Sequence, residues 1–185
     1  QLIRDTGLKV VSVHEDLGSI LRVPDEIISE ARSFDTKYVV ITGMNRFDYS
    51  DKSAVLDLAD RLNRAGKLMQ EGGISLLYHN HNCEFRKVEM GVPAYELLIE
   101  KTDPEYVNFE FDSYWPTEAG VDTIPLMKRL GTRMKLYHIN DRGTRVSGPA
   151  GQILKSDSME LGYGNMNLVE MVQVAKENGV DAVVL

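Results

Sequence analysis

Short apolar, β-branched segments alternate along the chain with longer segments whose apolar residues recur at helical spacing. The strand-like segments are 8–14, 37–43, 74–81, 106–112, 134–140 and 182–185. The helix-like segments between them are 24–32, 53–70, 93–101, 122–130 and 168–178. Six strands that alternate with five helices predict βαβ units and a parallel sheet.

Residues that begin or end helices support these boundaries. Pro24 suits a first helical position, and Asp122 suits an N-cap. Gly72 and Gly179 follow segments of helical periodicity, where glycine commonly ends a helix. After residue 140, a stretch with several Gly residues and a Pro predicts a loop of about twenty residues.

Polar residues at the strand ends favour a barrel over an open doubly wound sheet. No Gly-x-Gly-x-x-Gly follows the first strand and no Walker-type loop occurs, so a nucleotide-binding open sheet loses support. All four histidines fall at carboxyl ends of predicted strands, where barrel enzymes carry their chemistry. A complete (β/α)8 TIM barrel takes about 250 residues. We therefore expect residues 1–185 to be one α/β domain with about six of the eight βα units, incomplete at both ends and with open sheet edges.

Three of these strand ends form a candidate metal site. Residues two apart on a strand share a face, so His79, Asp112 and His138 are expected to converge as metal ligands. Imidazole with carboxylate favours Mn²⁺ over Ca²⁺, with Co²⁺, Zn²⁺, Fe²⁺ or Mg²⁺ as alternatives. In the plainer interpretation His79 is a hydrogen-bonded core residue and Asp112 caps a turn.

Other residues near this site have open roles. His14 ends the first strand and suits a substrate contact or a structural role. Trp115 follows Asp112 by three residues, where its indole face can stack on a sugar ring or simply pack. Glu110 shares a face with Asp112 but is given no role, since a buried ion pair explains it equally well. Cys83 lies beside the site and is expected to be structural.

Charge and composition exclude several classes of protein. The chain has 21 basic and 28 acidic residues, a net charge of −7, which argues against a nucleic-acid partner. No apolar run reaches the roughly 20 residues of a membrane helix, so no membrane partner is expected. A single cysteine excludes an internal disulfide and fits a reducing, cytoplasmic location.

Five stretches, in this order, carry a family resemblance. They are GLKVVSVH at 7–14, LYHNHNCEF at 77–85, FDSYW at 111–115 before AGVD at 119–122, YHIND at 137–141 and ELGYGNMN at 160–167. Over nearly its whole length the chain resembles the xylose-isomerase-like TIM-barrel superfamily of sugar isomerases and epimerases, which also includes the endonuclease IV type.

The resemblance implies a metal held by a Glu, an Asp, a His and a second Glu at four successive strand ends. The Asp matches Asp112 and the His matches His138, whereas the first Glu falls at His79. The histidine-rich segment there is similar to inosose dehydratases and departs from the two-glutamate epimerase pattern. By the same resemblance, the six strands correspond to the third to eighth of the barrel, and the second Glu falls just after Leu185.

The leading hypothesis is a divalent-metal-dependent sugar isomerase or epimerase. It would act on a keto-sugar or sugar phosphate through an enediolate that the metal stabilises. His81 is the first candidate for acid–base catalysis because imidazole titrates near neutral pH, followed by Glu84 and then Glu160. Arg142 suits a hydroxyl or phosphate contact, or equally a solvent-exposed loop.

The main alternative is a lyase that uses the same metal to remove water from a keto-inositol or keto-sugar. A non-catalytic sugar-binding module and a repair nuclease of the endonuclease IV type are further alternatives. Four histidines and the acidic net charge disfavour the nuclease. The expected partner is a small-molecule sugar, and the resemblance leaves a homo-oligomer open.

Overall fold

The computed structural model describes residues 2–44, 46–88, 91–145 and 154–185. The strands are β1 (Val13–His14), β2 (Tyr38–Thr42), β3 (Ser75–His79), β4 (Val107–Asp112), β5 (Met134–His138), β6 (Asp141–Thr144), β7 (Ser156–Met159) and β8 (Ala182–Val184). The helices are α1 (Leu2–Asp5), α2 (Leu17–Arg22), α3 (Pro24–Ser33), α4 (Lys52–Glu71), α5 (Ala94–Lys101), α6 (Tyr114–Glu118), α7 (Thr123–Leu130) and α8 (Leu168–Asn178).

Six strands form one parallel sheet in the order β1-β2-β3-β4-β5-β8. A helix of at least eight residues lies in each connection between consecutive strands of this sheet. This confirms the parallel sheet and the βαβ units that the alternation of segments predicts. In such a sheet all carboxyl ends lie along one rim, so residues that end different strands become neighbours.

The predicted helices α3, α4, α5, α7 and α8 are confirmed to within one residue at each end. Pro24 is the first residue of α3, and Gly179 adopts a left-handed conformation with φ of 76° after α8. Asp122 occupies the N-cap position of α7, but its side chain makes no capping hydrogen bond. None of the described helices is long and apolar enough to cross a membrane.

Two expectations about extended segments are wrong. The strand predicted over 8–14 shortens to Val13 and His14, the residues paired with β2, while Leu8 and Val11 are exposed and gain little from burial. The loop predicted after residue 140 contains an antiparallel hairpin of β6 and β7. Its strands are mostly polar and carry no β-branched apolar run, so their pattern does not indicate strands. Residues 146–153 of that loop lie outside the described residues.

The two faces of the sheet have different environments. The outer face packs on the helices in one large apolar cluster, whose sheet residues include Val39, Ile41, Leu76, Phe109 and Tyr137. The inner face has a small apolar cluster of Tyr38, Val40, Leu77 and Leu136. Two residues further along three of these strands come Thr42, His79 and His138. Polar side chains therefore follow the apolar cluster at the carboxyl end of the inner face.

Contacts across the amino ends of the strands show that the sheet curls. The hydroxyl of Tyr38, at the start of β2, donates to the carboxylate of Asp181 just before β8. Lys37 Nζ lies 2.7 Å from the same carboxylate. Because β3, β4 and β5 lie between β2 and β8 in the sheet order, only a curved sheet brings these residues together.

Candidate metal centre

His79, Asp112 and His138 converge at the carboxyl ends of β3, β4 and β5, as the sequence led us to expect. Asp112 Oδ2 lies 2.9 Å from His138 Nδ1 and 3.9 Å from His79 Nε2. The register places Asp112 directly opposite His138. Asp112 and His79 are buried, whereas His138 is half-buried. The three side chains therefore surround one point on the inner face of the sheet.

Several atoms of this cluster are buried without a hydrogen-bond partner among the described residues. They include Asp112 Oδ2, His138 Nδ1 and Glu110 Oε2. Although Asp112 Oδ2 and His138 Nδ1 are close, their geometry is not that of a hydrogen bond. Buried polar atoms without partners are rare in folded proteins and require a reason. Convergent imidazole and carboxylate donors without partners fit a divalent cation of the Mn²⁺ or Zn²⁺ type.

Glu110 also belongs to this cluster, although the sequence pattern gave no reason to assign it a role. It lies opposite His79 in the register of β3 and β4. Its Oε1 lies 3.0 Å from His79 Nδ1 and 3.9 Å from His14 Nε2. His79, Glu110 and His138 each offer one ligand atom within 4.8 Å of the others. The alternation of side chains along residues 109–112 predicts that Glu110 and Asp112 share a face. The pairing of Glu110 with His79, however, depends on the register between β3 and β4.

Two histidines, His138 and His81, have pKa values shifted in opposite directions. The Asp112 carboxylate raises the pKa of His138 above its ordinary value, against the opposing effect of burial. Burial lowers the pKa of His81, although the Glu84 carboxylate acts in the opposite direction. Perturbed groups of this kind cluster at functional sites.

Asn80 joins the end of β3 to Asp112. Its side-chain Nδ2 donates to the backbone carbonyl of Asp112 over 3.0 Å, and its Oδ1 accepts from the backbone N–H of Asp112 over 3.2 Å. Asn80 is fully buried. Asn80, whose side chain points away from His79 and His81, thus holds Asp112, a candidate metal ligand, in place through the Asp112 backbone.

His81 and Trp115 lie together at the rim of the cluster. The His81 ring centroid is 5.1 Å from that of His79 and 5.4 Å from that of Trp115. Trp115 lies in α6, the short helix that directly follows β4 and Asp112. Both residues are half-buried, so each leaves part of its ring accessible to a small molecule.

Glu84 is fully buried next to His81. Its carboxylate accepts hydrogen bonds from the Tyr78 hydroxyl over 2.9 Å and from the His81 backbone N–H over 3.0 Å. The Cys83 thiol lies 3.1 Å from the same carboxylate, and burial raises the pKa of that thiol to about 12. Glu84 therefore holds the segment that carries His81, and Cys83 stays protonated, as expected for a structural cysteine.

His14 approaches the cluster from β1. Its Nδ1 lies 2.8 Å from Thr42 Oγ1, and about half of its side chain is exposed. Beside it a cavity of about 480 Å³ opens between the ends of β1 and β2, lined also by Gly43 and Met44. This volume falls within the usual range for small-molecule sites.

Arg142 and Glu160 are not brought to the cluster by any contact within the described residues. Arg142 Nε lies 2.6 Å from Glu118 Oε2, which joins the hairpin to α6. Glu160 pairs with Arg145 over 3.0 Å and is two-thirds exposed. Both side chains belong to the hairpin region, which the sequence pattern did not indicate.

Asp141 organises the loop that follows the hairpin. Its carboxylate accepts from the backbone N–H groups of Gly162 and Gly164 over 3.0 and 2.8 Å, and from that of Met166 over 3.2 Å. A Cβ on Gly164 would lie 2.3 Å from Asp141 Oδ1. Only glycine allows this close approach, so the Asp141 contact requires Gly164.

Comparison with known proteins agrees with this architecture. Residues 2–185 match the xylose isomerase-like TIM barrel family, and the chain belongs to that family. A solved sugar phosphate isomerase/epimerase from Parabacteroides distasonis superimposes with a TM-score of 0.74 at 25% identity, over 99% of this chain and 64% of that one. The barrel architecture inferred from the strand-end histidines is thereby confirmed.

The curated relatives that match this chain include several inosose dehydratases. An inosose dehydratase from Bacillus cereus is 30% identical over 139 residues, which are 75% of this chain and 41% of that protein. Another, from Mesomycoplasma hyopneumoniae, is 32% identical over 116 residues, 58% of this chain and 37% of that protein. The chain thus matches about two fifths of the length of these relatives.

Proposed function

We propose that the whole protein is a divalent-metal-dependent lyase that removes water from a cyclic keto-polyol of the keto-inositol class. The convergence of His79, Asp112 and His138, with His81 at the rim, carries this proposal. The similarity to inosose dehydratases supports dehydration over isomerisation as the outcome. This reverses the order of the two hypotheses drawn from the sequence.

The metal-site residues would hold the ion, with Mn²⁺ as the first candidate. A bound divalent ion acts as a Lewis acid that polarises a carbonyl or hydroxyl oxygen. Asp112 supplies a buried carboxylate, and His79 and His138 supply imidazole nitrogens. The pair Glu110 and Asp112 makes the cluster acidic, which favours a cation over neutral ligands.

The protein's own groups account for the proton transfers. His81 would take the proton from the carbon beside the ketone and return it to the departing β-hydroxyl. The C–H and C–O bonds break, a carbon–carbon double bond forms, and water leaves. Trp115 would cover one face of the substrate, and His14 would contact a hydroxyl from the β1 side. Glu84 would act through His81 by fixing its backbone.

A sugar isomerase or epimerase is the second candidate. The similarity to the Parabacteroides distasonis protein over almost the entire chain favours it. The same residues would then return the proton to carbon instead of expelling a hydroxyl, so the two functions differ only after the proton is removed.

Product analysis separates these candidates. The whole protein is incubated with Mn²⁺ and either a keto-inositol or a ketohexose, and products are analysed by mass spectrometry and NMR. Loss of water from the keto-inositol supports the lyase, whereas epimer formation without water loss supports the isomerase. Sugar binding without turnover contradicts both and favours a non-catalytic module. Asp112→Asn should abolish turnover, while Asp60→Asn, on the exposed face of α4, should not.

A further inference from the structure

The two ring nitrogens of His79 face different carboxylates. Nδ1 lies 3.0 Å from Glu110 Oε1, in hydrogen-bonding geometry. Nε2 lies 3.9 Å from Asp112 Oδ2, which is too far for a hydrogen bond. His79 and both carboxylates are almost fully buried. Bulk solvent therefore has little access to either ring nitrogen, and the neighbouring carboxylates determine where the imidazole proton resides.

A neutral imidazole has one N–H and one lone pair. Glu110 Oε1 can only accept, so the proton must be on Nδ1 and the lone pair on Nε2 points toward Asp112 and the cluster. We propose that Glu110 is a positioning residue that fixes the Nδ1–H tautomer of His79, so that His79 binds the metal through Nε2. This inference rests on the proposed metal-dependent function.

The alternative is that Glu110 is itself a ligand, since His79, Glu110 and His138 offer ligand atoms within 4.8 Å of one another. In that set Glu110 would bind through Oε2, which has no partner among the described residues, while Oε1 still accepts from His79 Nδ1. The separations of the atoms around Asp112 favour the other set. Two ligands that each bind a first-row divalent ion at about 2.1 Å lie about 3–4 Å apart. The separations of Asp112 Oδ2 from His138 Nδ1 and His79 Nε2, 2.9 and 3.9 Å, match this range.

Strand register gives an independent reason. On β4, Glu110 lies opposite His79. Asp112 lies two residues further toward the carboxyl end of the strand, opposite His138. Glu110 thus lies at the level of His79 and deeper than Asp112 as seen from the rim, near the end of β1, where His14 Nε2 is 3.9 Å from its Oε1. A carboxylate behind a ligand imidazole commonly orients the ring and raises its basicity.

The tautomer can be measured without metal. Long-range ¹H–¹⁵N correlation spectra of the metal-free whole protein at about pH 8, where a free imidazole is neutral, distinguish the Nδ1–H from the Nε2–H form of His79. We expect the Nδ1–H form in the wild type. Glu110→Gln keeps an acceptor oxygen and should preserve it, whereas Glu110→Leu should populate both forms. An Nε2–H form in the wild type would overturn the inference.

Metal affinity, measured by calorimetry with Mn²⁺, tests whether Glu110 positions His79 for metal binding or binds the metal itself. Replacing a residue that orients a ligand typically costs 10–100-fold in metal affinity. We expect Glu110→Leu to show a loss of about that size, Glu110→Gln a smaller one, and Asp112→Asn a larger one without any change in the His79 tautomer.

If Glu110→Gln abolishes binding as completely as Asp112→Asn, Glu110 is a ligand and the inference is wrong. If the wild type binds no divalent metal, the proposed function fails, while the tautomer still decides the role of Glu110. Should Glu110→Leu not fold, the Glu110→Gln protein supplies both measurements.

Discussion

The side-chain amide of Asn80 makes both of its hydrogen bonds to the backbone of one residue, Asp112. Replacing it leaves a buried N–H and a buried carbonyl without partners. We therefore expect Asn80→Ala to lower the free energy of unfolding by about 2–3 kcal/mol and to weaken Mn²⁺ binding, because Asp112 is no longer held. Urea unfolding and calorimetry measure the two effects.

A neighbouring asparagine is the matched control for that substitution. Asn82 is exposed and its side chain makes no capping hydrogen bond, so Asn82→Ala should change stability by less than about 0.5 kcal/mol. Equal losses in the two variants would show that the Asn80 contacts contribute no more than a surface residue.

Two buried tyrosines differ in what their hydroxyls contact. The Tyr78 hydroxyl donates to Glu84 and lies 2.7 Å from that of Tyr49, whereas the Tyr95 hydroxyl has no partner among the described residues. We expect Tyr78→Phe to destabilise the protein by about 1–3 kcal/mol and Tyr95→Phe to be neutral or stabilising. Thermal and urea unfolding compare them directly. If Tyr95→Phe lowers the free energy of unfolding as much as Tyr78→Phe, the hydrogen bonds of the Tyr78 hydroxyl do not account for the difference.

The Asp141 carboxylate makes the stability of its loop depend on pH. Burial alone would raise its pKa, but the backbone N–H groups of Gly164, Arg142, Met166 and Gly162 together lower it below the ordinary value. The stabilisation is therefore complete above the ordinary carboxyl range, about pH 4–5, and is lost as the pH falls through the lowered pKa of the folded state.

Hydrogen exchange and unfolding measurements test this. On acidification, the amides of Gly162 and Gly164 should lose protection in the wild type, and the free energy of unfolding should fall more steeply than in Asp141→Asn. Asp60→Asn, a substitution on the exposed face of α4, should retain the steep dependence of the wild type. An identical slope in wild type and Asp141→Asn would rule out this role for Asp141.

The contact between Arg142 and Glu118 bears on whether Arg142 binds substrate. The ion pair is partly buried and joins β6 to α6, and Ser156 Oγ also donates to Glu118. If the arginine is structural, a double-mutant cycle of Arg142→Met and Glu118→Gln should give a coupling energy of about 0.5–1 kcal/mol and little change in KM. A large rise in KM for Arg142→Met that persists in the Glu118→Gln background would instead assign Arg142 to the substrate.

Periodicity was sufficient to predict the sheet and the five long helices because burial of one face dominates their stability. It failed for β6 and β7, which are held by Asp141 and by the Arg142–Glu118 pair rather than by apolar burial. The same distinction applies to the site. His79, Asp112 and His138 follow from strand ends alone, whereas the role of Glu110 depends on its register with His79, and the burial of Glu84 depends on the turn after β3. Neither the role of Glu110 nor the burial of Glu84 follows from the spacing of residues along the sequence.

The hydrogen bond between Tyr38 and Asp181 joins residues separated by 143 positions. Such a contact forms only after a long segment of chain has been ordered, and parallel sheets rich in distant contacts fold slowly. The strands β3, β4 and β5 can pair in sequence before that closure. The candidate metal ligands His79, Asp112 and His138 should therefore gather early in folding, and the curvature of the sheet should be among the last features acquired.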